Sequence, residues 1–519
     1  MVTTESGHIS PAQQIASGYA VEGAALELGA VVVDGVVDPQ AQVRIPLATM
    51  NRHGLVAGAT GTGKTKSLQV IAEQLSAAGV PVVMADVKGD LSGLSKPGAP
   101  NDKIAQRASD TGDTWSPAGF PVEFLSLGTS GSGVPVRATI TSFGPILLSK
   151  VLGLNQTQES TLGLIFHWAD QLGLPLLDLK DLRSVIHFLT SDEGKPALKE
   201  LGAVSTTTAG VILRALVNLQ AEGADTFFGE PELRPEDLMR TDPQGRGVIT
   251  LLELGSQAGR PVLFSTFLMW VLADLFTALP EVGDVDKPKL VFVFDEAHLL
   301  FSDASKAFLE QVEQTVKLIR SKGVGVFFCT QLPTDIPKGV LSQLGARIQH
   351  ALRAFTPDDE TALKKTVRTY PKSTVYDLAS ALTSLGTGEA LVTVLSERGA
   401  PTPVAWTRMR APRSLMDAIG TDAIAAAAKA SVLQQQYGQT IDRDSAYERL
   451  AAKLAPPVTD LPPVPTDVYV PPMPAPAEPG LLEQMMDNPA FKIAMRSAGT
   501  VIGREITRSI FGTGRRRRR

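Results

Sequence analysis

The octapeptide GATGTGKT, Gly58 to Thr65, narrows most sharply what this chain can fold into. It fits G-x-x-x-x-G-K-[ST] at every fixed position, between the apolar run RHGLVAG and the helical pattern KSLQVIAEQLSAAG. Such a stretch makes a strand, a glycine turn and a helix N-terminus in succession. Gly58, Gly61 and Gly63 let backbone N–H groups point inward around an anion, where a Cβ would cost strain. Ala59, Thr60 and Thr62 complete the loop. The helix beginning near Lys64 turns the positive end of its dipole toward the same point. Lys64 is placed to reach the β- and γ-phosphates of a nucleotide, and Thr65 to put its hydroxyl on Mg²⁺.

A phosphate loop of this kind needs carboxylates at a second strand tip. LVFVFDEAH, Leu290 to His298, has five apolar residues and then two acids. Ligands of open α/β sheets bind at that end of the strands. Asp295 is expected to hold Mg²⁺ through water. Glu296 is expected to orient and deprotonate the attacking water. A third strand, VGVFFCTQ, ends in Thr330 and Gln331. Gln331 either senses the γ-phosphate or is a solvated turn residue. Cys329 beside it reads as core. ADVKGDLSGL brings Asp86, Lys88 and Asp90 toward the same edge, as nucleotide, subunit or DNA contacts or as a structural loop. His53 reads as a residue capping the first strand. No Asn-Lys-x-Asp stretch that would read guanine is present, which favours ATP.

Strands alternate with helices from Gly54 on, which implies a parallel sheet. The expected fold is α/β, a RecA-like P-loop core with a mainly parallel sheet and an inserted helical block. Residues 1–45 read as a short β-rich cap, with strands at Val31–Val37 and Gln42–Pro46. The core is expected over 46–140 and 246–412, the helical insert over 141–245 and a helical extension over 413–454. GEALVTVLSERGAPTPVAW reads as a β-hairpin. Residues 455–480 hold ten prolines in 26 positions, the composition of an extended linker. Residues 481–519 form a basic amphipathic segment, with Phe491, Met495, Ala498, Ile502, Ile506 and Ile510 on one stripe and Arg515 to Arg519 at its end.

The charge is uneven. Residues 481–519 carry nine Lys/Arg against three Asp/Glu, so the rest of the chain carries −11 within a total of −5. The basic segment suits DNA, an anionic membrane surface, another subunit or solvent alone. A single cysteine excludes an intramolecular disulfide, and no Cys/His cluster suggests zinc. The N-terminus lacks a basic stretch followed by an apolar one, so a cytoplasmic location is expected. Pro261 to Pro280 has the length of a membrane span, but Asp274 within it costs about 2.5–3.5 kcal/mol near a bilayer centre. It reads as a buried helix.

Taken together, RHGLVAGATGTGKT, VVMADVKGDLSGL, LVFVFDEAHLLF and IRSKGVGVFFCTQLPTDIP resemble the HerA/FtsK superfamily of ring-forming P-loop ATPases. The bacterial HerA-like helicases are the nearest group. The resemblance runs from about Arg44 to Arg410. It implies a homo-oligomer, a hexameric ring with ATP and Mg²⁺ at subunit interfaces, translocating on or unwinding DNA. A ring that remodels or pumps a protein substrate is the alternative. It also implies an arginine reaching in from the neighbouring subunit. Arg320 is the first candidate and Arg347 the second, each with an ordinary exposed arginine as the other reading. DEAH also evokes the DEAH-box helicases, but no second motor is visible. The Lys64-to-Asp295 separation of 231 residues instead fits a core with an insert. Residues 1–45 are too few for the N-terminal β-barrel of HerA-type proteins, which argues against a nuclease partner.

Overall fold

Twelve strands, all in one sheet, organise the described residues. The computed structural model describes residues 9–86, 89–129, 131–200, 205–221, 223–253, 261–283, 285–302 and 304–454. In chain order the strands are β1 (Ala25–Val33), β2 (Val36–Pro46), β3 (Gly54–Ala57), β4 (Val82–Asp86), β5 (Val122–Leu127) and β6 (Val134–Val136). There follow β7 (Ile249–Glu253), β8 (Leu290–Phe294), β9 (Val324–Thr330), β10 (Ala346–Gln349), β11 (Glu389–Thr393) and β12 (Ala405–Met409). Their spatial order is β2-β1-β12-β11-β10-β3-β9-β8-β4-β7-β5-β6. From β10 to β6 every pairing is parallel, and from β2 to β10 every pairing is antiparallel. The mainly parallel α/β sheet expected from the sequence is present.

The central parallel strands β3, β4, β8 and β9 are buried at every position and mainly apolar because both of their faces are covered. Their residues alternate between two cores. Leu55, Val83, Phe292 and Phe328 face one side with the helical insert. Val56, Met84, Val293 and Cys329 face the other, with β1, β2 and the helix after the phosphate loop. Phe294 and Phe328 stack at 5.3 Å between ring centroids, joining β8 to β9.

The helices that matter for the site are α1 (Pro11–Ser17), α2 (Lys64–Ala77) and α3 (Asp102–Thr111). Between β6 and β7 comes the helical insert: α4 (Ile140–Val151), α5 (Gln156–Gln171), α6 (Leu179–Thr190), α7 (Lys195–Glu200) and α8 (Thr206–Ala221). α9 (Pro261–Ala278) is the apolar helix weighed as a membrane span. Leu268, Met269 and Leu272 on it are at most 1% exposed inside the protein core. Among the described residues no helix is long and apolar enough to cross a membrane.

Two readings change in detail. The N-terminal strands are longer than expected and join the sheet through β12 rather than forming a body apart. Asp34 and Gly35, both at positive φ, close a two-residue hairpin there, so β1 and β2 pair over most of their length. The helical extension after the sheet is three short helices, Thr421–Ala430, Val432–Tyr437 and Ala446–Leu454, with a break between the second and the third. The proline-rich linker and the basic amphipathic segment lie outside the described residues.

Candidate nucleotide site

β3 ends at Ala57 and α2 begins at Lys64, so the loop between them sits at the C-terminal edge of the parallel strands. Its glycines take backbone angles that side chains resist: Gly58 at φ 150°, Gly61 at 79° and Gly63 at 114°. At Gly58 space is also decisive, since a Cβ would stand 2.6 Å from His350 Cβ. The loop is pinned at both ends. Gly58 N donates to Thr330 O at 3.3 Å, Ala59 N to Ala351 O at 2.9 Å, and Gly388 N to Thr62 O at 2.9 Å. Thr62 Oγ1 donates to Ala59 O at 2.7 Å. Thr60 and Gly61 are exposed at the crest, and Thr65 is half-buried in the first turn of α2. Lys64 arches back over the loop, its Nζ donating to Gly58 O at 2.7 Å and Ala59 O at 3.2 Å.

The carboxylates arrive from the neighbouring strands. β9 lies beside β3, and β8 beside β9. Asp295 and Glu296 follow the last residue of β8. Glu296 N donates to Asp295 Oδ1 at 2.9 Å, and Ala297 N donates to Cys329 O at 2.8 Å, so the acidic tip is tied to β9. Glu296 is at φ 47°, the left-handed region, at a cost of about 1–2 kcal/mol for a residue with a Cβ. Outliers of this sort gather at functional sites. The Glu296 side chain is 16% exposed, with His298 Nδ1 at 3.4 Å from Oε2. Burial first, and the Asp295 charge next, push the Cys329 thiol well above its ordinary range, in keeping with its core reading.

Gln331 is exposed just past β9 and shares a cleft with His298 and Asp335. Thr330 is buried instead, and its hydroxyl donates to Asp335 Oδ2 at 2.7 Å. Leu332 N reaches the same oxygen at 3.0 Å. Asp335 thus shapes the strand tip that Gln331 rides on.

Asp86 ends β4, paired across to Glu253 of β7. It is 3% exposed, and its Oδ2 accepts from Leu91 N at 3.2 Å. Burial, with Asp90 adding to it, raises its pKa to about 7. Asp86 and Asp90 do reach the site edge; Lys88 lies outside the described residues.

The two candidate finger arginines lie elsewhere. β9 runs seven residues from Val324 to Thr330, roughly 20 Å at 3.3 Å per residue. Arg320 precedes its first residue and so stands at the far edge of the sheet. Arg347 sits on β10 opposite Leu55, with Nη1 donating to Thr369 O at 3.0 Å and its guanidinium 6.0 Å from the Tyr370 ring centre. Arg52, Lys317, Arg320 and Arg347 line one basic cleft of about 500 Å³ that contains no phosphate-loop residue. Neither arginine stands beside Lys64 in its own chain. His53 is buried in this region at φ 60°, accepting from Val326 N at 3.0 Å. Burial lowers its pKa to about 4.

His350 was not singled out from the sequence. It follows β10, is fully buried, and supports the loop from beneath. Only its place at the tip of an apolar strand next to β3 could have marked it.

The donors fit the chemistry of a nucleotide with Mg²⁺. A threonine hydroxyl and one carboxylate are hard oxygen ligands, and Mg²⁺ takes one or two such groups beside phosphate and water. Among the described residues there is no group of three or more His, Cys, Asp or Glu that could hold a metal unaided. Bound there, Mg²⁺ would neutralise developing phosphate charge. Thr65 and Asp295 would hold it, Lys64 would pair with the β- and γ-phosphates, and Glu296 would take a proton from water.

The family model described as helicase HerA-like, C-terminal, matches residues 33–519. No curated protein matches the chain. Among solved structures, the unbound bacterial conjugative coupling protein TrwB aligns with a TM-score of 0.49 at 16% identity, over 78% of this chain and 94% of its own. TrwB in complex with the non-hydrolysable ATP analogue ADPNP gives 0.48 at 17% identity, over 78% and 95%. VirB4 of Thermoanaerobacter pseudethanolicus gives 0.44 at 13% identity, over 75% and 98%.

Proposed function

The chain belongs to the helicase HerA-like C-terminal family, and from that premise we propose that it is an ATP-hydrolysing ring motor that translocates along or unwinds DNA. The observation that carries the reading is the meeting of a complete phosphate loop with Asp295 and Glu296 two strands away at the same sheet edge. A loop alone binds a nucleotide; hydrolysis also needs a carboxylate placed to orient and deprotonate the attacking water.

The far-edge arginines support a ring. Arg320 and Arg347 line a cleft that holds no phosphate-loop residue of their own chain, and its cluster of four cations suits the γ-phosphate held by a neighbouring copy. An arginine supplied this way is worth about 10³–10⁵ in rate. DNA is the substrate the family description favours, gripped through its phosphates.

Displacement of a third strand from triplex DNA tests the motor. ATP-dependent displacement that Glu296→Gln abolishes supports it. Hydrolysis that DNA leaves untouched and a protein substrate raises would replace it with a protein-remodelling ring.

A further inference from the structure

The helical insert carries a groove that no residue of the nucleotide site lines. It lies between α4, α5 and the segment 173–177, and encloses about 770 Å³. Its floor is apolar, with Pro145, Phe166, Leu174 and Leu176. Its frame is bonded together. Thr141 N donates to Leu176 O at 2.8 Å, and Leu176 N donates to Thr141 Oγ1 at 3.1 Å, which ties α4 to the 173–177 segment. Glu232 Oε2 accepts from Thr139 N at 2.7 Å at the start of α4. Arg443 grips Glu230 with both arms of its fork, at 2.5 and 2.8 Å. Leu172 and Ile441 beside the groove are 49% and 57% exposed. Apolar side chains open to water next to an apolar floor mark a surface that a partner covers.

The charge of the groove narrows the partner. Among the described residues lining it, the three acids Asp170, Glu230 and Glu232 face one cation, Arg443, which leaves −2. Burial first, and the charges of Glu232 and Glu236 next, raise the pKa of Asp274 to about 6, as happens where acids crowd. A surface of this sign repels DNA and selects a basic occupant. An apolar floor with an acidic rim suits a segment whose apolar residues recur every three or four positions and whose remaining positions are basic.

Residues 481–519 have that pattern, with Phe491, Met495, Ala498, Ile502, Ile506 and Ile510 in the apolar places and nine Lys/Arg against three Asp/Glu. The helix Ala446–Leu454, which precedes the proline-rich stretch, is bonded to the groove of its own chain. Ala446 N donates to Pro175 O at 3.0 Å, and Arg449 Nη1 to Gly173 O at 2.6 Å. Residues 455–480 hold ten prolines. At about 3.1 Å per residue a stretch of that composition reaches roughly 80 Å and resists doubling back. A stiff spacer that starts beside one groove suits delivery to the groove of the next copy.

We propose that this groove of the helical insert docks the basic, apolar-striped segment 481–519 of a neighbouring copy of the chain. The docking needs the second copy that the ring reading supplies, but not hydrolysis. It is tested by crosslinking in the full-length protein. His167→Cys places a thiol in the groove of one chain, and Ser509→Cys places one beside the stripe of another. The two variants are coexpressed with different tags and treated with a short bismaleimide; Cys329 is buried and stays silent. A product carrying both tags should form. Asp170→Lys in the first chain, or Ile502→Asp in the second, should lower its yield at least fivefold. A yield that neither change lowers overturns the docking. So does an internal crosslink in a chain bearing both cysteines with no dual-tag product, which would assign the groove to its own tail. No product, with DNA binding that falls when Arg515 to Arg519 become alanine, assigns the segment to DNA instead and also overturns it. Sedimentation of the wild type separates the two readings: a monomer overturns the ring and the docking together, and an oligomer without the product overturns the docking alone.

Discussion

Ser67 Oγ stands 2.9 Å from His350 Nε2, and His350 Nδ1 stands 2.8 Å from Glu389 O. A carbonyl oxygen only accepts, so Nδ1 carries the proton and Nε2 accepts from the Ser67 hydroxyl. One neutral imidazole therefore joins α2, the end of β10 and the start of β11 directly under the phosphate loop. Burial first, and the Lys64 charge in addition, lower its pKa to about 4 against the bond to Glu389.

That depression has a sign. Between about pH 4 and the ordinary 6.5, the unfolded chain binds the proton that the folded chain refuses. The stability tied to His350, about 3 kcal/mol at one unit per 1.4 kcal/mol, is fully present above pH 6.5 and is lost as pH falls toward 4. Denaturant titrations of the wild type and His350→Gln should differ more at pH 7.5 than at pH 5. A difference independent of pH would contradict the neutral, buried imidazole.

The loop glycines should not be equivalent. At Gly61 nothing lies within 4 Å of a Cβ, so alanine there meets only the left-handed strain, about 1–2 kcal/mol. At Gly58 the added carbon also meets His350, and overpacking adds about 1–3 kcal/mol. Thermal melts should place Gly58→Ala clearly below Gly61→Ala. Matching midpoints would remove His350 as the support of the loop.

Lys64 and Glu296 should separate binding from chemistry. Lys64→Ala should lose nucleotide affinity. Glu296→Gln should retain it while turnover falls by roughly 10²–10⁴, the usual worth of a general base. Fluorescent-nucleotide binding alongside phosphate release reads both quantities. Turnover that survives in Glu296→Gln would move the base to another residue.

Arg320 sits at the opposite edge of the sheet from Lys64, so it should act only across subunits. Arg320→Ala should bind ATP normally yet hydrolyse poorly. Mixing it with Lys64→Ala subunits should restore activity at interfaces that pair an intact loop with an intact arginine. Mixtures no more active than their parents would exclude Arg320 and leave Arg347 as the candidate, to be mixed in the same way.

Local pattern carried much of this arrangement. RHGLVAGATGTGKT and LVFVFDE are each a strand followed directly by its chemistry in one contiguous stretch, so residue order alone locates Lys64, Thr65, Asp295 and Glu296. β8, β9 and α9 are legible because their sequences are dominated by long apolar runs. Contacts between distant segments are not. His350 touches Ser67 across 283 positions, and Asp335 shapes the tip of β9 through a turn with no motif of its own. The left-handed backbone of Glu296 is set by what packs around the β8 tip, not by the residue. The joining of β1 to β12 depends on pairing between the two ends of the core. Which edge of the sheet holds Arg320 becomes visible only once the direction of β9 is known.

The most direct measurement is steady-state ATP hydrolysis by the full-length protein with and without single- and double-stranded DNA, at low and physiological salt, with Glu296→Gln as the blank. The account predicts turnover that DNA raises several-fold and that salt suppresses, because phosphate contacts release counterions. Turnover well above the blank that neither form of DNA changes at either salt would contradict a DNA motor.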